Sequence, residues 1–215
     1  MKILVTGFDP FGGEPTNPSW EAVRRLPDEV AGAQVVKVQI HTVFERSKDD
    51  VRAAILEHDP DVIVCVGQAG GRYSVSPERV AINLDDGRIP DNEGYQPIDV
   101  PVYDDGPPAY FSTLPIKAMV TAMVAAGVPA AVSNTAGTYV CNHVMYTALY
   151  LVEHEFPGKR AGFVHVPYLP EQVLDKPNEP SLGLDQLVTA LTAGLEAIVE
   201  YADKPDLRVV GGAIH

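Results

Sequence analysis

The stretch AGTYVCNHVMYTALYLVEHEF sets one cysteine, Cys141, where a loop containing Gly137 gives way to helical apolar spacing. A thiol in the first turn of a helix faces the positive end of the helix dipole, which favours the thiolate and predicts a pKa below that of a free cysteine. The other cysteine, Cys65, lies inside DVIVCVG with valine on both sides, the setting of a buried, inert thiol. Neither belongs to a CxxC pair. In a chain that reads as cytoplasmic both are expected to stay reduced, so Cys141 is either packing material or a nucleophile.

A cysteine nucleophile needs a group that handles protons, and histidine is the usual one. Six histidines are available. His143 follows Cys141 too closely on the helix to share its face. His58 and His154 sit in charged helix ends, where solvation or dipole compensation accounts for them, and His215 is the last residue. His41 and His165 each stand near the end of a predicted strand. His165, in FVHVPYLP, is on the strand after the Cys141 helix, and a right-handed crossover would bring that strand end back to the helix start. It is the preferred partner, the competing reading being a hydrogen-bonded core histidine.

A third group should orient the imidazole. Glu78 lies in SVSPERVAIN, where an acid in a mostly apolar run requires a partner; His165 is one, and Arg72 or Arg79 is another. A metal centre is not expected: there is no HExxH and no CxxC, and Cys141 with His143 lacks the spacing of a helical ligand pair. The loop TGFDPFGG after the first strand has neither GxGxxG nor a Walker lysine. Phe8 and Phe11 occupy it instead, as walls of a small apolar pocket or as anchors of the loop itself.

The elements that must position these residues alternate along the chain. Apolar, β-branched runs at 2–8, 34–43, 61–67, 130–137 and 160–166 predict strands. Helical patterns fall at 17–26, 45–59, 115–127, 141–156 and 184–204. That order predicts an α/β sheet with helices on both sides, whose sites gather at the carboxyl ends of the strands. The stretch from about 67 to 108, rich in Gly, Asp, Pro and Arg, breaks the rhythm, and a long irregular segment in a compact domain is commonly functional. Residues from about 205 onward read as a frayed tail.

With 215 residues, 46% of them hydrophobic, the chain is long enough for one substantial core and short for two, so a single domain over 1–215 is expected. A formal net charge of -13 argues against nucleic-acid or anionic-membrane partners, which need clustered Lys and Arg. No apolar run is long enough for a signal peptide core or a membrane span.

Taken in order and spacing, TGFDPFGG with NPSW, ERVAIN, RIPDNEG, AYFSTLPIKAM, TYVCNHVMY and HVPYLPEQ resemble the pyroglutamyl-peptidase I family, also called pyrrolidone-carboxylate peptidases, from about Val5 to Gln172. The resemblance implies a single-domain α/β/α sandwich built on a mixed, mostly parallel sheet. It implies a cofactor-free, soluble cysteine exopeptidase, commonly a homotetramer, that removes N-terminal pyroglutamate from peptides. Motif matching carries the family's catalytic set onto Cys141, His165 and Glu78, and support of the oxyanion onto Arg88. It puts Phe8, Phe11, Thr42, Tyr139 and Val140 in the walls of the ring pocket, with Asn17 and the backbone near Gln68 as hydrogen-bonding groups. Tyr139 stands where relatives commonly have Phe, so its hydroxyl needs a polar neighbour. The rival expectations are an amidase or acyl transferase using the same three residues on another acyl group, and a binding protein with an inactive site.

Overall fold

The structure, a computed structural model, describes residues 1–212; the last three residues of the expected tail lie outside the described residues. In chain order the elements are β1 (Lys2–Phe8), α1 (Pro18–Val23), β2 (Glu29–Val30), β3 (Ala33–Ile40), α2 (Phe44–His58), β4 (Val62–Gln68), β5 (Ser76–Pro77), β6 (Val80–Ile82), β7 (Ala109–Phe111), α3 (Ile116–Ala125), α4 (Val140–His154), β8 (Arg160–Val166), a 3-10 turn (Pro170–Val173) and α5 (Leu184–Glu200). Six strands form one sheet in the order β2-β3-β1-β4-β8-β5. The four inner strands run parallel, while β2 and β5 close the two edges antiparallel. β6 and β7 form a separate antiparallel pair beside α4.

The continuous apolar character of the inner strands follows from burial on both faces. Ile3, Val5, Val62, Val64, Val66, Val164 and Val166 pack with α1, α3 and α5. Leu4, Phe8, Ile63, Cys65 and Phe163 point the other way, onto α2 and α4. The two helical layers make the α/β/α sandwich that the resemblance implies. Gly7 lets α1 lie directly on β1, since a Cβ there would stand 2.8 Å from the Trp20 backbone.

Two expected elements come out differently. The predicted strand at 130–137 is not one: the segment touches the β5 edge only through isolated bridges, Val75 with Ala130 and Glu78 with Ser133. A parallel ladder starts, with Val75 N–H donating to the Pro129 carbonyl (2.9 Å) and Ala131 N–H to the Val75 carbonyl (3.1 Å), and resumes where Arg79 N–H reaches Ser133 (2.8 Å). The missing rung between them is the one Pro77 would donate, and proline has no N–H. The predicted run 34–43 also ends early, at Ile40, because Val43 becomes the N-cap of α2.

The segment between β6 and β7 is irregular but pinned. The Asp91 carboxylate accepts from the N–H groups of Phe44 (3.1 Å), Glu93 (2.9 Å) and Tyr95 (2.9 Å). Asp206 does the same for α3, whose N-cap Pro115 supplies no side-chain cap, accepting from Lys117 and Ala118 N–H at 3.0 Å each. Further along, Arg79 Nη2 donates to the Gly211 carbonyl (2.9 Å).

Candidate active site

Helix α4 begins with Val140, so Cys141 sits in its first turn, as the sequence predicts. Its N-cap, Tyr139, makes no side-chain cap hydrogen bond, which leaves the first N–H groups of the helix open to an outside acceptor. The sulfur lies against the end of β4, where a Cβ on Gly67 would come within 2.8 Å of Sγ and 2.7 Å of the Phe163 ring. Gly67 pairs in register with His165 on β8. Sheet register and a missing side chain thus bring Cys141 and His165 to the walls of one cavity.

His165 is 3% exposed, and its Nδ1 is 2.7 Å from Glu78 Oε1. Glu78, fully buried on the short segment after β5, reaches the histidine because β5 pairs with β8 through Ser76 and His165. Arg72 Nη1 donates to the same carboxylate oxygen at 2.6 Å, while its Nη2 donates to the Thr135 carbonyl at 3.0 Å. The two partners that the sequence offers for Glu78 as alternatives, His165 and Arg72, therefore both bind it. Arg79 turns away to Asn134 (2.8 Å).

Burial works to raise the Glu78 pKa, but the hydrogen bond and charge of His165, then the charge of Arg72, outweigh it and hold the carboxyl below its usual range. An ionised Glu78 fixes the proton of the imidazole on Nδ1 and leaves Nε2 as the acceptor. Burial lowers the pKa of His165, against the hydrogen bond and charge of Glu78, so the ring rests neutral. Cys141 departs from expectation. Burial, followed by the negative charge of Glu78, pushes its thiol up to about 12, and the opposing pull of Arg72 is smaller. Removal of the sulfur from water opposes the helix-start effect and favours the thiol over a preformed thiolate, although Cys141 is half-buried and borders the cavity. Burial takes Cys65 to about 12, in keeping with an inert core thiol.

The cavity encloses about 320 Å³. Phe8, Phe11, Asn17, Thr42, Gln68, Tyr139 and Val140 all line it, together with Cys141, His165 and Arg72. Glu78 lies behind His165 and does not reach the surface of the cavity, and Arg88 lines an adjoining one instead. Asn17 caps α1, its Oδ1 accepting from Ser19 N–H (3.1 Å), and its Nδ2 donates to the Asp9 carbonyl (2.9 Å), which fixes the amide in the wall. Thr42 is tied down by Asp9, and the side chain of Gln68 by Gln172 (3.0 Å). Tyr139 finds the polar neighbour its hydroxyl requires, donating to the Pro90 carbonyl at 3.0 Å. Among the described residues the walls contain no carboxylate.

Of the two histidines at predicted strand ends, His41 is drawn off to Asp50 (2.8 Å) at the surface. His143 is buried under the loop after β6, with Nδ1 2.7 Å from Asp85 Oδ2, and lines neither cavity. Arg72 is the residue of the site that the sequence leaves unassigned. Its signal is the buried acid itself, which needs a countercharge, but only the loop geometry selects Arg72 over Arg79.

A family model for pyroglutamyl peptidase matches residues 1–201. The chain belongs to the pyroglutamyl peptidase family. It is 58% identical, over the full length of both chains, to a pyrrolidone-carboxylate peptidase of Streptococcus suis and to one of Lactobacillus johnsonii. Among solved structures it is similar to pyroglutamyl peptidase I of Bacillus amyloliquefaciens, with TM-score 0.92 and 50% identity over 96% of this chain and 99% of that one. It is also similar to a pyrrolidone carboxyl peptidase of Thermococcus litoralis, with TM-score 0.93 and 34% identity over 97% and 99% of the two chains. Among the described residues no helix is long and apolar enough to cross a membrane.

Proposed function

We propose that this chain is a cysteine exopeptidase that hydrolyses the amide bond after an N-terminal pyroglutamyl residue. The observation that carries the reading is the cavity beside Cys141 and His165: small, largely apolar, and without a carboxylate in its walls. A site for an ordinary peptide N-terminus needs an acid for the ammonium group, whereas a lactam has no charge to neutralise and needs only apolar walls with a few polar contacts. Phe8, Phe11, Thr42, Tyr139 and Val140 supply the walls, and Asn17 with the backbone near Gln68 supplies hydrogen bonds to the lactam.

Because Cys141 and His165 both rest neutral, the chemistry starts with proton transfer coupled to attack. His165 Nε2 takes the thiol proton as the sulfur adds to the pyroglutamyl carbonyl, and Glu78 stabilises the imidazolium that forms. Arg72 keeps Glu78 ionised throughout. The open N–H groups at the start of α4, Cys141 among them, receive the developing oxyanion. His165 then protonates the departing amine, the thioester forms, and the ring, neutral again, activates water to release pyroglutamate and restore the thiol. Cytoplasmic placement and assembly into a homotetramer belong to the same proposal, and light scattering on the purified protein tests the second.

The experiment is hydrolysis of a pyroglutamyl-coupled fluorogenic amide, beside acetyl-, prolyl- and glutaminyl-amides, by wild type, Cys141→Ser and Cys65→Ser. The expected result is cleavage of the pyroglutamyl amide alone by wild type and Cys65→Ser, and none by a folded Cys141→Ser. Equal cleavage of the acetyl amide would make the protein a general amidase. Inactivity of the folded, reduced wild type on every amide would leave a binding protein.

A further inference from the structure

A second cavity, of about 380 Å³, adjoins the first and shares Phe11, Gln68, Gly70 and Tyr139 with it. Beyond the shared residues its character changes. Arg88, Tyr168, Glu14 and Glu179 enter the walls, where the first cavity has no acid. Glu14 is neutralised by Lys176 at 2.7 Å, whereas Arg88, which is exposed, has no ion-pair partner among the described residues. The backbone around Arg88 is held on both sides. Asp86 N–H donates to the Thr138 carbonyl (2.9 Å), the Thr138 hydroxyl donates back to Asp86 (2.9 Å), and the Pro90 carbonyl receives the Tyr139 hydroxyl. A free guanidinium on a fixed backbone, in the cavity beside the one that holds the nucleophile, is available to bind an anion.

Building on the proposed pyroglutamyl specificity, we infer that the second cavity is the subsite of the leaving peptide and that Arg88 binds the terminal carboxylate of a pyroglutamyl dipeptide there. With the ring in the first cavity and its carbonyl at Cys141, the rest of the peptide can run past the shared residues into this space. The open N–H groups at the start of α4 lie beside the sulfur and can receive the oxyanion, so binding of the leaving peptide by Arg88 is separable by experiment from the oxyanion support that the resemblance carries onto it. Glu179, also without an ion-pair partner among the described residues, adds a negative charge that weakens the preference without cancelling it, because Arg88 can bind a carboxylate through two parallel hydrogen bonds.

The test uses a matched pair, pyroglutamyl-alanine and its carboxamide, which differ in one carboxylate. The parameters kcat and KM are measured for wild type, Arg88→Ala and Arg88→Lys. Wild type is expected to favour the free acid, and Arg88→Ala to collapse the ratio of kcat/KM between the two substrates about tenfold through KM, with Arg88→Lys in between. Loss of kcat by one common factor on both substrates would assign Arg88 to the transition state and overturn the subsite, as would an unchanged ratio. A folded wild type that cleaves neither substrate would overturn the pyroglutamyl reading first and the subsite with it.

Discussion

His165 and His143 are each held through Nδ1 by a buried carboxylate at 2.7 Å, and each carboxylate keeps one buried oxygen without a partner, Glu78 Oε2 and Asp85 Oδ1. Their surroundings differ. His165 borders a cavity with Cys141, and its carboxylate is shared with Arg72. His143 packs edge-on against Phe44, and its Nε2 is buried with no partner at all. A histidine–carboxylate pair is therefore not a site in itself. One pair can pass a proton to a reacting group, while the other can only tie the loop after β6 to α4.

The sharpest way to break this distinction is to truncate each histidine. His165→Ala is expected to lower kcat by about 10²–10⁴-fold with little loss of stability. His143→Ala leaves Asp85 buried and alone, and is expected to cost roughly 3–5 kcal/mol of stability while the folded fraction keeps its kcat. Denaturant melts beside steady-state rates check both, and a catalytic collapse in folded His143→Ala would erase the contrast.

Gly67→Ala sharpens the contrast from the side of the nucleophile. The added methyl meets Sγ at 2.8 Å on the strand that carries the cavity, and a displacement on that scale is expected to lower kcat about 10²-fold without unfolding the protein. Single-turnover rates measure it. Arg72→Met acts one step further back, through Glu78, with an expected loss of about tenfold. Its diagnostic is the sign of a pH shift. The charge of Arg72 lowers the pKa of His165, so its removal moves the acid limb of kcat/KM to higher pH, whereas in wild type that limb lies below the ordinary histidine value of 6.5. The smallest effect concerns the free thiol. With Cys141 raised to about 12, alkylation by iodoacetamide should still be accelerating as pH passes the ordinary thiol value of 9.0, and a plateau already at neutral pH would indicate a preformed thiolate.

Much of this site is legible in the sequence because position in an α/β chain constrains it. Cys141 reads as a helix start, His165 as the end of the next strand, and Glu78 as an acid stranded among apolar neighbours. The strand expected at 130–137 fails on a single atom type, since Pro77 on the neighbouring segment cannot donate the rung that would extend the ladder. The low thiol pKa fails because the helix start is visible in sequence while the partial removal of the sulfur from water, and the charge of Glu78 near it, are not. The choice of Arg72 over Arg79 depends on which guanidinium folds inward, and nothing local distinguishes them. The placing of a charged cavity beside an acid-free one joins residues as far apart as Phe11 and Glu179, beyond the reach of periodicity.

The central claim is that Cys141, served by His165, carries the pyroglutamyl group as a covalent intermediate. Rapid acid quench of the working enzyme with a pyroglutamyl ester, followed by peptide mapping by mass spectrometry, tests it directly. One added pyroglutamyl group is expected, found on the peptide containing Cys141 and accumulating further in Glu78→Gln, where release by water is slowed. A modified Cys65, or turnover with no adduct on either cysteine under conditions that trap thioesters, would contradict it.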